Sequence, residues 1–208
     1  MAVATTLVGC SRSAQVGSPA ASAPQSQPAA LIVYATQRIA LTPTSIVRAD
    51  SLGWTQRLGG AVTAGRMLDS SISTALYERA VSRQWFLPPE LVRAYERNRS
   101  YATNPYELTT TVLRAPAFQS ASRYGEPLSS QLRTMIALHE SVRMVLIPVE
   151  LRFEKQGTAG RAILRAALLD ARAADARWVG EVRGDTSSNP RRALDNVASR
   201  FADLFVAQ

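Results

Sequence analysis

Residues 143–183 read RMVLIPVELRFEKQGTAGRAILRAALLDARAADARWVGEVR, and the fold is decided by how this stretch alternates. From Arg143 to Phe153 the odd positions Val145, Ile147, Val149, Leu151 and Phe153 are apolar, while the even positions drift polar at Glu150, Arg152 and Glu154. A two-residue period is that of a half-buried strand. Gln156 to Gly160 then supplies a turn, and Arg161 to Asp170 repeats the alternation with Ala162, Leu164, Ala166 and Leu168 on one face. A second turn over Ala171 to Asp175 leads to a third strand, Arg177 to Arg183, with Trp178, Gly180 and Val182 inward. Short turns between consecutive strands predict an antiparallel meander.

Working outward, Ser188-Asn189-Pro190 offers a capping side chain and a first-turn proline, the start signal of a helix. Leu194, Val197, Ala198, Phe201, Leu204 and Phe205 form its apolar stripe. Upstream, helices are predicted over Ala61–Val81, Glu90–Arg97 and Pro127–His139, the first with Ala64, Leu68, Ile72, Ala75 and Leu76 at helical spacing. Strands are predicted at Leu31–Tyr34, Arg38–Leu41 and Gln84–Leu87, with Trp54 packing inward from the loop between them. Residues 98–126 carry the least periodicity; Asn104-Pro105 could open a helix to Val112, and the rest reads as loop. The order predicts one α/β domain over 31–208, a two-layer sandwich in which helices pack on a mixed sheet.

The 208 residues are 46% hydrophobic, enough for a substantial core. No apolar run approaches the roughly 20 residues of a membrane-spanning helix. The formal charge is +8, but 23 of the 24 basic residues are arginine and they are scattered, with Arg191-Arg192 the clean doublet. A nucleic-acid surface calls for clustered basic residues interleaved with aromatics, so nucleic acid is not an expected partner.

The single cysteine, Cys10, closes Leu7-Val8-Gly9-Cys10, which resembles the lipobox of bacterial lipoproteins. Small residues before the cysteine admit a membrane-embedded peptidase, and the thiol takes the acyl-bearing glycerol. Residues 1–10 then read as the end of a lipoprotein signal peptide, whose start is expected further upstream. Residues 11–30, SRSAQVGSPAASAPQSQPAA, are too poor in large apolar side chains to fold and are expected to be a disordered tether. Ser11, rather than an aspartate, resembles outer-membrane sorting.

Three stretches carry a family resemblance: Arg38-Ile39-Ala40-Leu41-Thr42-Pro43, Trp85-Phe86-Leu87-Pro88-Pro89-Glu90-Leu91, and Leu168-Leu169-Asp170-Ala171-Arg172 followed by Arg177-Trp178-Val179-Gly180-Glu181-Val182. They resemble the domain shared by the curli-secretion lipoprotein, the lipoprotein activator of a penicillin-binding protein and the N-terminal domain of the Tol-system propeller protein. The resemblance spans roughly Gln37 to Phe205, and it implies a fold motif at Asp170, Arg172 and Trp178 and a role in binding other envelope proteins. Ala173-Ala174-Asp175 stands where the family's turn has a glycine, and residues 98–126 have no counterpart, so the subfamily and partner stay open. No membrane-inserting hairpin is evident, which argues against a pore-forming secretion channel.

Catalytic chemistry is hard to assemble. His139 is the sole histidine, so a histidine-built metal site is excluded, and it reads as a helix-end residue. Ser70, Ser71 and Asp170 could join it in a triad, but no nucleophile elbow is present. Glu150 and Glu154 share a strand face with Arg152, a pattern more typical of an exposed, charge-balanced face than of paired acid–base carboxylates. Asp170 beside Arg172 reads as turn chemistry. Gly59-Gly60 and Gly65 precede or enter a helix without the Gly-Lys-Ser/Thr of a phosphate loop.

The expectation is therefore a non-catalytic lipoprotein of the outer membrane, anchored through Cys10 and facing the periplasm. It would need no cofactor and bind an envelope protein, with self-association left open. The alternatives are an arginine-rich scaffold for an acidic polymer, or a hydrolase of unrecognised type.

Overall fold

The computed structural model describes Met1 and residues 31–206; Cys10 and the 11–30 segment lie outside the described residues. Short β1 (Ile39–Leu41) and β2 (Ile46–Val47) lead through α1 (Trp54–Arg57) to the long helix α2 (Ala61–Glu78). Helix α3 (Pro88–Arg97) and α4 (Leu128–Ile136) precede the meander β3 (Met144–Gln156), β4 (Ala159–Asp170) and β5 (Asp175–Arg183), and α5 (Pro190–Asp203) follows it. The sheet runs β1-β3-β4-β5, with β2 also on β3; β1 and β2 pair parallel to β3, and the meander pairs antiparallel. This is the mixed sheet with helices packed on it that the alternation predicts.

The helical layer forms where the apolar period is clearest. Asn189 caps α5, its side-chain oxygen accepting from the Arg191 and Arg192 N–H groups at 2.8 and 3.2 Å. Ala80, just past α2, takes the left-handed conformation (φ 55°) that ends many helices. Ala64, Leu68, Ile72 and Leu76 of α2 and Leu194, Val197 and Phe201 of α5 meet Leu146, Leu164 and Leu168 of the sheet in one apolar cluster. Trp85 and Phe201 both stack edge-on against Phe205, with ring centroids 4.9 and 5.8 Å away. Trp54 is buried as predicted, edge-on to Phe153 at 5.5 Å.

The opposite sheet face carries a second cluster. Val145, Ile147, Val149, Ala167, Leu169 and Ala176 meet Leu108, Leu113, Phe118 and Tyr124 of the 98–126 segment and Leu132 and Met135 of α4. The odd-numbered stripe of β3 therefore does not lie on one face. A bulge between Pro148 and Glu150 inserts one residue, so Val149 faces the second cluster and Leu151 the first. A bulge opposite Leu168 and Leu169 does the same in β5, sending Ala176 and Trp178 to opposite faces.

Three local expectations are corrected. Leu31–Tyr34 is not a strand: Ile32–Tyr34 is a 3-10 turn, and the Leu31 N–H donates to the Leu204 carbonyl at 2.6 Å, seating the start of the domain at the end of α5. Gln84–Leu87 is not a strand either; a 3-10 turn over Ser82–Gln84 leads into a single bridge from Phe86 to Ala40. No helix runs from Asn104 to Val112; one 3-10 turn, Thr111–Arg114, interrupts an irregular path.

Candidate functional site

Asp170 ends β4 with no exposed surface. Its Oδ1 accepts from the N–H groups of Arg172 and Ala173 at 3.1 and 3.0 Å, the turn chemistry expected of an aspartate here. Its Oδ2 takes Arg143 Nε at 2.6 Å and an Arg177 nitrogen at 2.8 Å. Burial alone would raise its pKa, but the two arginines and two backbone donors outweigh it and hold the carboxyl well below the usual range. The Arg172 side chain takes no part; the partners are Arg143, from the start of the meander, and Arg177, the extra residue of the β5 bulge. Above the turn, the Tyr124 hydroxyl donates to the Asp170 carbonyl at 3.0 Å, tying the irregular segment to the same corner.

Trp178 is core, as expected, at 5% exposure. Its indole lies across Gly180, where an added Cβ would fall 2.4 Å from Cζ2. That close approach is the physical reason for a small residue two positions after the tryptophan.

Glu150, Arg152 and Glu154 do share a face, but their surroundings differ. Glu150 is buried, at 4% exposure, beneath Arg48 Nε at 2.9 Å. Arg152 makes a two-pronged pair with Glu181 at 2.7 and 2.9 Å, and Arg161 grips one Glu154 oxygen at 2.8 and 2.6 Å. Those hydrogen bonds lower the pKa of Glu181 and of Glu154. Each carboxylate is thus matched to its own guanidinium.

The triad candidates are not brought together. Ser71 sits between α2 and α5, its hydroxyl 2.7 Å from Asp195 Oδ1, and Asp170 is held by its arginines. His139 follows α4, stacked on Phe86 at 4.4 Å between ring centroids. Burial lowers its pKa, with Glu90 opposing and Arg97 reinforcing the shift. Gly59 and Gly60 take left-handed angles before α2, and Gly65 lies against Val47 and Thr44. Among the described residues no cluster of histidine, cysteine or acidic side chains could hold a metal ion, and no helix is long and apolar enough to cross a membrane.

Sequence reasoning missed the anchoring of residues 98–126. Arg165 of β4 donates from Nε to the Leu113 carbonyl at 2.9 Å and from its terminal nitrogen to Ala115 and Phe118 at 3.3 and 3.1 Å. Ala121 and Ser122 exchange backbone bonds with Ala176 at 2.6 and 2.8 Å, along the outer edge of β5. Leu113 and Phe118 are buried beneath, while Tyr101 (62% exposed), Tyr106 (49%) and Val112 (40%) remain outside. The visible signal was the density of aromatic and apolar residues in a stretch with no helical or strand period.

No family model and no curated protein matches the chain. Among solved structures it is similar to the PelC dodecamer from Paraburkholderia phytofirmans in space group P6, at 13% identity and TM-score 0.41 over 86% of this chain and 95% of that one. It is likewise similar to a methionine-substituted PelC dodecamer from the same organism in space group C2, at 12% identity and TM-score 0.36 over 86% and 93%.

Proposed function

We propose that this chain is a non-catalytic envelope lipoprotein, a member of the curli-secretion and penicillin-binding-protein-activator lipoprotein group. Its α/β domain, hung from acylated Cys10 on the periplasmic side of the outer membrane, docks on another envelope protein. The observation that carries the docking is the irregular segment. Around its tyrosines it is tied to α4, by the Thr103 and Thr134 hydroxyls 3.1 Å apart and by the Thr109 N–H, which donates to Gln131 Oε1 at 2.8 Å, and it presents Tyr101, Tyr106 and Val112 to solvent. A fixed backbone bearing exposed tyrosines suits a binding surface, because little conformational freedom is lost on association and aromatic side chains dominate interface energies. The anchor is supported by Leu7-Val8-Gly9-Cys10 and by the 11–30 segment, which at full extension reaches about 70 Å.

Mass spectrometry of the protein made in a bacterium with intact lipoprotein processing tests the anchor. The expected mature chain begins at an acylated Cys10 and partitions into outer-membrane fractions. Recovery of a soluble chain that retains residues before Cys10 and a free thiol would overturn it.

A further inference from the structure

At the end of the sheet that holds the Asp170 turn, a cleft of about 390 Å³ opens between the end of α4 and that turn. That volume falls in the lower part of the range of about 300–1,000 Å³ typical of ligand sites. Ile136, Ala137 and Val142 give it an apolar side, while Arg133, Arg172, His139, Glu140 and Ser141 supply polar groups.

The arginines around this corner divide into two sets. Arg143 and Arg177 are committed to Asp170. The guanidinium groups of Arg133 and Arg172, which line the cleft, pair with no carboxylate or carbonyl among the described residues. Two acids close by are engaged elsewhere, Glu126 accepting from Ser129 and Ser130 and Glu90 from the Leu87 N–H, while Glu140 stands on the rim itself. His139 Nε2 is buried and has no hydrogen-bond partner. A backbone turn with Ser141 in the left-handed region (φ 62°) closes the cleft behind it.

We infer that this cleft binds a singly charged phosphodiester, with Arg133 and Arg172 as its two guanidinium ligands. Guanidinium groups present paired N–H donors that match the oxygens of a phosphate and stay charged at every physiological pH. The Glu140 carboxylate on the rim opposes a second negative charge, which selects a diester over a phosphate dianion. The Ala137 side chain, exposed beside the buried Ile136, gives the carbon substituent of the ester an apolar contact. Asp170 serves the site indirectly, because its bonds to the Arg172 and Ala173 N–H groups fix the turn from which Arg172 projects. The inference does not depend on the anchor at Cys10.

The test uses the full chain carrying Cys10→Ser, so that no acyl group contributes. Glycerophosphoglycerol is the free diester, and phosphatidylglycerol vesicles present the same group on a membrane; amide chemical shifts and vesicle co-sedimentation read the two arms. Glycerophosphoglycerol is expected to shift the amides of Ala137, Ser141 and Arg172, with affinity falling about tenfold for each of Arg133→Gln and Arg172→Gln. Glu140→Gln is expected to strengthen binding of inorganic phosphate more than of the diester. Vesicle binding that weakens with the same two substitutions assigns a membrane source; free-diester binding without vesicle binding assigns a soluble one. Absence of shifts at the cleft, or vesicle binding unchanged in the double variant, would overturn the inference. Both arginines are exposed, so unchanged circular dichroism is expected to verify that each variant folds.

Discussion

The two faces of the sheet are covered by different means. On one, α2 and α5 lay regular apolar stripes on β3 and β4, and their backbone hydrogen bonds are satisfied within each helix. On the other, much of the cover is irregular chain that supplements local turns with distant partners: Arg165 donates to three of its carbonyls, and the β5 edge pairs with Ala121 and Ser122. Helical cover carries its own hydrogen bonding wherever it packs, whereas irregular cover exists only while the sheet beneath it is intact. Global stability should therefore reside on the helical face, and local opening on the irregular one.

The largest effect is expected from Phe201→Ala, which empties the centre of the helical face beside Phe205. A loss of about 3–5 kcal/mol in denaturant unfolding is expected, with hydrogen exchange rising across both faces. A rise confined to α5 would break the comparison.

Asp170→Asn should come next, because the buried carboxylate is what draws Arg143 and Arg177 into the turn. Both arginines can still reach water, so a loss of about 3 kcal/mol at neutral pH is expected. The sign with pH follows from the lowered folded pKa. The carboxylate's stabilisation is complete above its unfolded value and is lost as pH falls below about 4. Wild type and variant should therefore converge in acid, and a constant gap in urea unfolding down to low pH would contradict this.

Arg165→Gln sharpens the comparison most selectively. A loss of about 1–2 kcal/mol is expected, with faster exchange at Ala121, Tyr124 and Ala176 and unchanged protection in α2 and α5. Equal acceleration in the helices would mean that the two faces open as one unit.

The smallest effect is expected at Asp69, on the helical face. Burial lifts its pKa to about 6, against the lowering effect of Thr44, which donates from its N–H at 2.8 Å and its hydroxyl at 2.6 Å. A folded pKa above the unfolded one contributes stability at low pH that is lost as pH rises through about 6. Asp69→Asn keeps an acceptor for Thr44 and should flatten the stability profile between about pH 4 and 6. An unchanged slope there would assign the ionisation elsewhere.

The helical face was legible because Leu68, Ile72 and Leu76, like Leu194, Val197 and Phe201, recur with the period of the element they belong to. The meander was legible for the same reason, and the Asp170 turn because an aspartate so placed bonds its own backbone. The bulges were not: one inserted residue reverses which face a position occupies, and nothing in the identity of Val149 or Arg177 announces it. Nor was the second cover, since Leu108, Leu113, Phe118 and Tyr124 are anchored singly, by contacts with residues far along the chain. At Leu31–Tyr34 a short apolar run suits a strand or a turn equally well, and the proximity of Leu204 decides for the turn.

Whether the irregular segment is a docking surface can be read with a photo-crosslinking side chain at Tyr106 in the native envelope, with the same group at Tyr77 on the helical face as comparison. One identifiable envelope protein is expected to be captured from Tyr106, and not from Tyr77 although that residue is 79% exposed. Capture of the same protein from both positions, or no capture from Tyr106 in cells where the domain is anchored, would contradict that role.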